Sequence, residues 1–177
     1  FMDGIDGLIG GCMFIVYLSI SIKYNPSLLT ISGALLGFLI WNWYPSKIFM
    51  GDAGSTFLGC LFFGTILDSS TLNEFILSLT LISPILLDTI TCIIRRFFYR
   101  QNIFKAHKQH LYQRLFQAGL PPNVISLIYI LSTLLLCISY LYFNLKISLF
   151  LILLISLLGI WLDRKKAINF QESLKIY

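Results

Sequence analysis

Six long apolar runs joined by short polar pieces restrict this chain more than any other feature. They are Leu8–Ile22, Leu28–Trp43, Ala53–Leu67, Phe75–Ile94, Asn123–Phe143 and Ile147–Leu162. A helix that crosses a bilayer needs ~20 mostly apolar residues, so each run is a candidate span, some of them short. A membrane barrel would instead show alternating segments of about 10 residues. The expected fold is therefore all-α: a polytopic transmembrane helical bundle of about six spans, forming a single membrane domain over residues 1–177. With 57% hydrophobic and 12% charged residues, the chain is far from the ~25% charge of a soluble domain.

The basic residues set an orientation. The loop at 95–120 carries Arg95, Arg96, Arg100, Lys105, Lys108 and Arg114, and the tail carries Arg164, Lys165 and Lys166. Cytoplasmic loops are enriched in Lys and Arg, so both segments are expected inside, with two spans between them. Counting backwards puts FMDGIDG, FMGDAGS and the histidine-bearing loop on one cytoplasmic face. The net charge of +5 thus reads as membrane orientation, and no nucleic-acid partner is expected. Cys12, Cys60, Cys92 and Cys137 are scattered singly through apolar runs, which argues against a disulfide framework and a structural zinc site.

Four polar constellations stand out. In FMDGIDGLIGG, Asp3 and Asp6 are at i and i+3 and would share a helical face. They could hold a divalent cation, accept hydrogen bonds from a nucleobase, or only cap the first helix. Membrane CDP-alcohol phosphotransferases also begin with paired acids, but Gly10–Gly11 replace their Ala–Arg and no second acidic pair follows. In IFMGDAGSTFLG, Asp52 lies between Gly51 and Gly54, at the mouth of a span. A hard oxygen ligand there suits Mg²⁺ and a phosphate, although an ordinary helix cap is the plainer alternative. In PILLDTITCIIRR, Asp88, Thr91, Cys92 and Arg95 fall on one helical stripe, and Pro84 can kink the helix above them. An intramembrane carboxylate usually has a partner, either functional or structural. In AHKQHLYQRL, His107, His110 and Arg114 would form one polar helical stripe, with Leu111 and Leu115 beside it for an amphipathic interfacial placement. Such a cationic stripe suits pyrophosphate oxygens or lipid headgroups. A metal on HxxH is disfavoured because no third ligand of suitable type is near in sequence.

FMDGIDGL, FMGDAGS, PILLDT…RR and AHKQHLYQRL, in that order, resemble the polyprenyl-phosphate N-acetylhexosamine-1-phosphate transferases, glycosyltransferase family 4. The AHxxHLYQRL form looks similar to bacterial enzymes that initiate O-antigen or capsule repeats. The resemblance covers Phe1 to about Gly119, and the last two spans match in character only. It implies transfer of HexNAc-1-phosphate from a UDP-sugar to undecaprenyl phosphate with release of UMP, at the bacterial inner membrane, with the active site facing the cytoplasm. It also implies Mg²⁺ (or Mn²⁺) on Asp52, Asp6 near the uracil, and Asp3 in the same acidic motif. His107, His110 and Arg114 would belong to a loop that closes over phosphates and sugar, with Asp88 as a further substrate-side acid and a homodimer as one possible assembly. Family members carry an Asn before FMDG and an upstream Asp-Asp loop, both of which would precede Phe1. The chain is therefore expected to be the C-terminal part of a longer transferase, which by itself could be inactive. An ion-coupled transporter or a non-catalytic remnant are the competing readings.

Overall fold

A computed structural model describes residues 4–105 and 107–174 of the chain. Eight α-helices and no strand occur among the described residues: α1 Leu8–Lys23, α2 Leu29–Asn42, α3 Gly51–Leu67, α4 Leu72–Thr80, α5 Ser83–Phe98, α6 Leu111–Gln117, α7 Pro122–Tyr142 and α8 Leu145–Lys165. The protein is an all-α membrane protein.

The centre of the bundle is α1, packed most extensively on α7 and α2. It is apolar all round, the pattern of a helix surrounded by others, and Leu8, Cys12, Val16 and Tyr17 are fully enclosed. Small residues make the close approach possible. A Cβ on Gly11 would lie 2.3 Å from Ile130 Cδ1 of α7, so any larger side chain would push the two helices apart. The phenol of Tyr17 donates to the Leu58 carbonyl of α3 at 2.6 Å. By contrast, α3 buries only Leu58, Phe62 and Ile66, one stripe at i, i+4 and i+8. In α8 only Ser148 and Leu162 are buried. Their remaining apolar faces are suited to lipid.

Two helices, α7 and α8, are each long and apolar enough to cross a membrane alone. At 21 residues each they rise ~31 Å, about the thickness of the hydrocarbon layer. Three shorter apolar helices correspond to the first three expected spans. The fourth expected span, Phe75–Ile94, is not one helix. It breaks at Leu81–Ile82, and α4 and α5 meet at a bend of 79°. The cause is Pro84 in the first turn of α5. Proline has no N–H for the preceding turn and clashes with it, so the apolar run must restart as a new helix.

Side-chain bonds tie one end of the bundle together. The Gly7 N–H donates to Asn42 Oδ1 at 3.0 Å, joining the start of α1 to the end of α2. Asn42 Nδ2 in turn donates to the Ile48 carbonyl, three residues before α3. The Ser126 hydroxyl of α7 donates to the Asp6 carbonyl at 2.7 Å. Arg95 near the end of α5 and Arg114 of α6 both pair with Asp163 near the end of α8. Seven helix ends thus meet on one side of the protein, and all the described polar motifs lie there.

Candidate functional site

The acidic motif enters this end through residues 4–7; Asp3 lies outside the described residues. Asp6 is half-buried. Its Oδ2 accepts the Ser46 N–H at 3.0 Å, which pins the turn between α2 and α3 beside α1. Gly4 lies against α6. A Cβ there would be 2.9 Å from Tyr112 Oη and 3.4 Å from Gln113 Nε2. The first and fourth motifs, over 100 residues apart in sequence, are therefore in contact.

Asp52 occupies the first turn of α3 and is solvent-exposed. Gly51 before it takes φ +67°, a left-handed conformation that a side chain at this position would strain. The helix N-terminus adds partial positive charge next to the carboxylate. The Ser55 hydroxyl turns back to the Asp52 carbonyl at 3.3 Å. An exposed carboxylate at this point fits Mg²⁺, which keeps several waters and substrate phosphate oxygens and so needs only one or two protein oxygens.

The arm bearing the histidines departs from the expected helical stripe. Helix α6 begins only at Leu111, and His110 stands before it in extended conformation, with ψ 152°. His107 therefore shares no helical face with Arg114. Gln113 Oε1 reaches back to accept the His110 N–H at 3.2 Å, which fixes the helix start at that point. The two imidazoles are still neighbours, with ring centroids 5.0 Å apart. His107 is pushed down to about pKa 4 by burial first, then by the Arg96 guanidinium and His110. It is neutral at physiological pH and not part of a cationic stripe. Nor does α6 lie loose at the interface. Leu115 and Tyr112 are fully buried, and the helix packs against α5, α7 and α8.

Asp88 and Arg114 hold this arm in place. Asp88 is buried, and its carboxylate accepts the Leu111 N–H at 2.7 Å, the Tyr112 N–H at 3.4 Å and the Tyr129 hydroxyl at 2.7 Å. It acts as the missing cap for α6, satisfying N–H groups that no residue of that helix can reach. Arg114 is 4% exposed. Its guanidinium donates to the Gln109 carbonyl at 3.2 Å, the Ile168 carbonyl at 2.8 Å and the Asp163 carboxylate. The fork expected to face pyrophosphate is thus engaged by the protein on three sides. Asp88, Thr91, Cys92 and Arg95, the expected stripe on α5, line a cavity of about 190 Å³ between α5, α6, α7 and α8.

The profile of glycosyl transferase family 4 matches residues 1–70. A protein named probable undecaprenyl-phosphate N-acetylglucosaminyl 1-phosphate transferase, from Bacillus subtilis, is 35% identical over 132 residues, covering 67% of this chain and 37% of that protein. The chain belongs to the polyprenyl-phosphate N-acetylhexosamine-1-phosphate transferase family. The decaprenyl-phosphate N-acetylglucosaminephosphotransferase of Mycobacterium leprae is 30% identical over 150 residues, 67% of this chain and 38% of that one. A phospho-N-acetylmuramoyl-pentapeptide-transferase of Prochlorococcus marinus is 38% identical over 81 residues, 40% of this chain and 22% of that one. The chain spans a little over a third of the length of the first two relatives. No solved structure matches it significantly. None of these three names mentions the O-antigen or capsule pathway that the arm motif suggested.

Within this family site, sequence reasoning missed Asn42, Gln109, Tyr129 and Asp163. Asp163 had a readable signal, as a lone acid directly before Arg164, Lys165 and Lys166. The others are polar residues without spacing, recognisable only once their partners are known.

Proposed function

We propose that the chain carries the sugar-nucleotide half of an enzyme that transfers HexNAc-1-phosphate from a UDP-sugar to a polyprenyl phosphate. The observation that carries this reading is the contact of Gly4, in the acidic motif, with Tyr112 and Gln113 of the histidine arm, at the end of the bundle where Asp52 begins α3. A phosphate oxygen of the lipid attacks the β-phosphorus of the UDP-sugar. The new P–O bond joins lipid phosphate to sugar phosphate, and the bridging oxygen leaves on UMP. A phosphate monoester is already ionised near pH 7, so no strong general base is required.

The residues divide into two groups. Asp52 would hold Mg²⁺, which when bound offsets charge on the diphosphate. His107 would donate a hydrogen bond to the phosphates or sugar as a neutral imidazole, with the buried His110 ring packed beside it as its support. Asp6 would stand on the nucleoside side of the substrate, with Asp3 in the same motif. Asp88 and Arg114 support the substrate through position: one caps α6 and the other locks the arm to α8. The relatives' names favour UDP-GlcNAc as donor and undecaprenyl or decaprenyl phosphate as acceptor. The one-sided gathering of polar groups and the basic loop support a reaction at the cytoplasmic face of the bacterial inner membrane.

Membranes containing the full-length protein, given a panel of radiolabelled UDP-HexNAc donors and undecaprenyl phosphate, should convert UDP-GlcNAc to labelled lipid with stoichiometric UMP. No lipid product from any donor would overturn the reading. Replacing His107 with Ala should raise KM for the sugar nucleotide or lower kcat by about 10-fold or more, since one neutral donor to a charged group is worth ~1.5–3 kcal/mol. Unchanged kinetics would remove His107 from the pocket.

A further inference from the structure

Sequence spacing leaves the His107–His110 pair without a third metal ligand, but the fold supplies one from another element. Cys92, on the arm-facing stripe of α5, offers its Sγ within 4.8 Å of a nitrogen from each imidazole, and the two nitrogens lie within the same distance of each other. Cys92 is 3% exposed and His110 4% exposed, while His107 is half-buried and leaves one side open. His110 Nδ1 is enclosed and has no hydrogen-bond partner, an uncommon state for a buried polar atom. It faces the Asp88 carboxylate at 3.8 Å, too far for a hydrogen bond but close enough to bias the ring once a cation binds. We propose that Cys92, His107 and His110 form a binding site for a borderline transition metal such as Zn²⁺, distinct from the hard-cation position at Asp52.

The ligand chemistry selects the metal. One thiolate and two imidazoles suit Zn²⁺ or Co²⁺ in tetrahedral coordination, with the fourth position open toward solvent on the His107 side. Mg²⁺ prefers oxygen donors and would not compete. On binding, the Cys92 thiol gives its proton to solvent and a metal–sulfur bond forms. The thiolate's negative charge partly offsets the unfavourable field of Arg96, whose guanidinium is held by Gln109 Oε1 and the Asn102 and Lys105 carbonyls. A metal held here would join the arm to α5 and occupy the imidazole assigned above to the sugar nucleotide. Zn²⁺ would then act as an inhibitor by taking the arm out of use.

The test reads metal binding without turnover, so its failure is separable from that of the transferase reading. Full-length protein in detergent, stripped with chelator, is titrated with Co²⁺ in the presence of excess Mg²⁺. Expected is a saturable thiolate-to-cobalt charge-transfer band that is kept in Cys60→Ser, whose cysteine is exposed, and lost in Cys92→Ser. His107→Ala, at a half-buried loop position, should weaken Co²⁺ binding by at least about 10-fold, the minimum seen when even outer-sphere partners are removed. If Cys92→Ser does not fold, His107→Ala decides alone. No thiolate band, a band that follows Cys60, or unchanged affinity in His107→Ala would overturn the proposal.

Discussion

Asp52→Asn in the full-length enzyme is expected to abolish UMP release, by about 100-fold or more, while the protein still reaches the membrane in normal amount. The substitution leaves the shape of the side chain nearly unchanged but removes the full negative charge that the proposed hard-cation ligand would supply. Loss of one group that stabilises transition-state charge typically costs 10²–10³ in kcat. Folding should be spared, because the residue is exposed in the first turn of α3 and Gly51, not Asp52, carries the left-handed backbone. The defect should lie in kcat and resist added Mg²⁺. Turnover near the parent's would remove Asp52 from the phosphate site.

The second large effect is expected of Asp88→Ala. That change leaves the Leu111 N–H and the Tyr129 hydroxyl without their 2.7 Å acceptor, in a largely buried part of the protein. Hydrogen bonds to charged groups contribute ~1.5–3 kcal/mol, and each orphaned buried donor costs ~1–3 kcal/mol, so a loss of about 3 kcal/mol is expected. The start of α6 should fray, and with it the alignment of His110. Hydrogen exchange should show faster exchange at residues 110–114 with α1 and α7 unaffected, together with a fall in kcat. Asp88→Asn should recover part of both, because its amide oxygen still accepts one of the N–H groups. Uniform exchange across the bundle, or an undisturbed arm, would contradict the capping role.

Helix positions were legible in the sequence because each apolar run has a physical endpoint. Asn42 closes α2, Gly51 opens α3, and the basic residues Arg95, Arg96, Arg164 and Lys165 fall in last turns, where the helix dipole favours cations. The break at Leu81–Ile82 was hidden. ILSLTLISPILLD reads as one apolar run, and the proline that divides it looks like a mild kink when a span is already assumed. The arm was misread for a related reason. Histidine is not an expected cap, so H-x-x-Q at His110–Gln113 did not register as a helix start, and the i, i+3, i+7 spacing suggested a continuous stripe. Long-range partners were the least legible. Nothing local links Arg114 to Asp163, 49 residues away, or Cys92 to the two histidines.

The proposed reaction needs one pocket shared by the acidic motif, the start of α3 and the histidine arm. The most direct measurement is a structure of the full-length protein with UDP-GlcNAc and a divalent cation. The account predicts the diphosphate between the Asp52 carboxylate and residues 107–110, with the uracil on the Asp6 side. A nucleotide bound elsewhere, or an arm facing the opposite side of the membrane from Asp52, would contradict it.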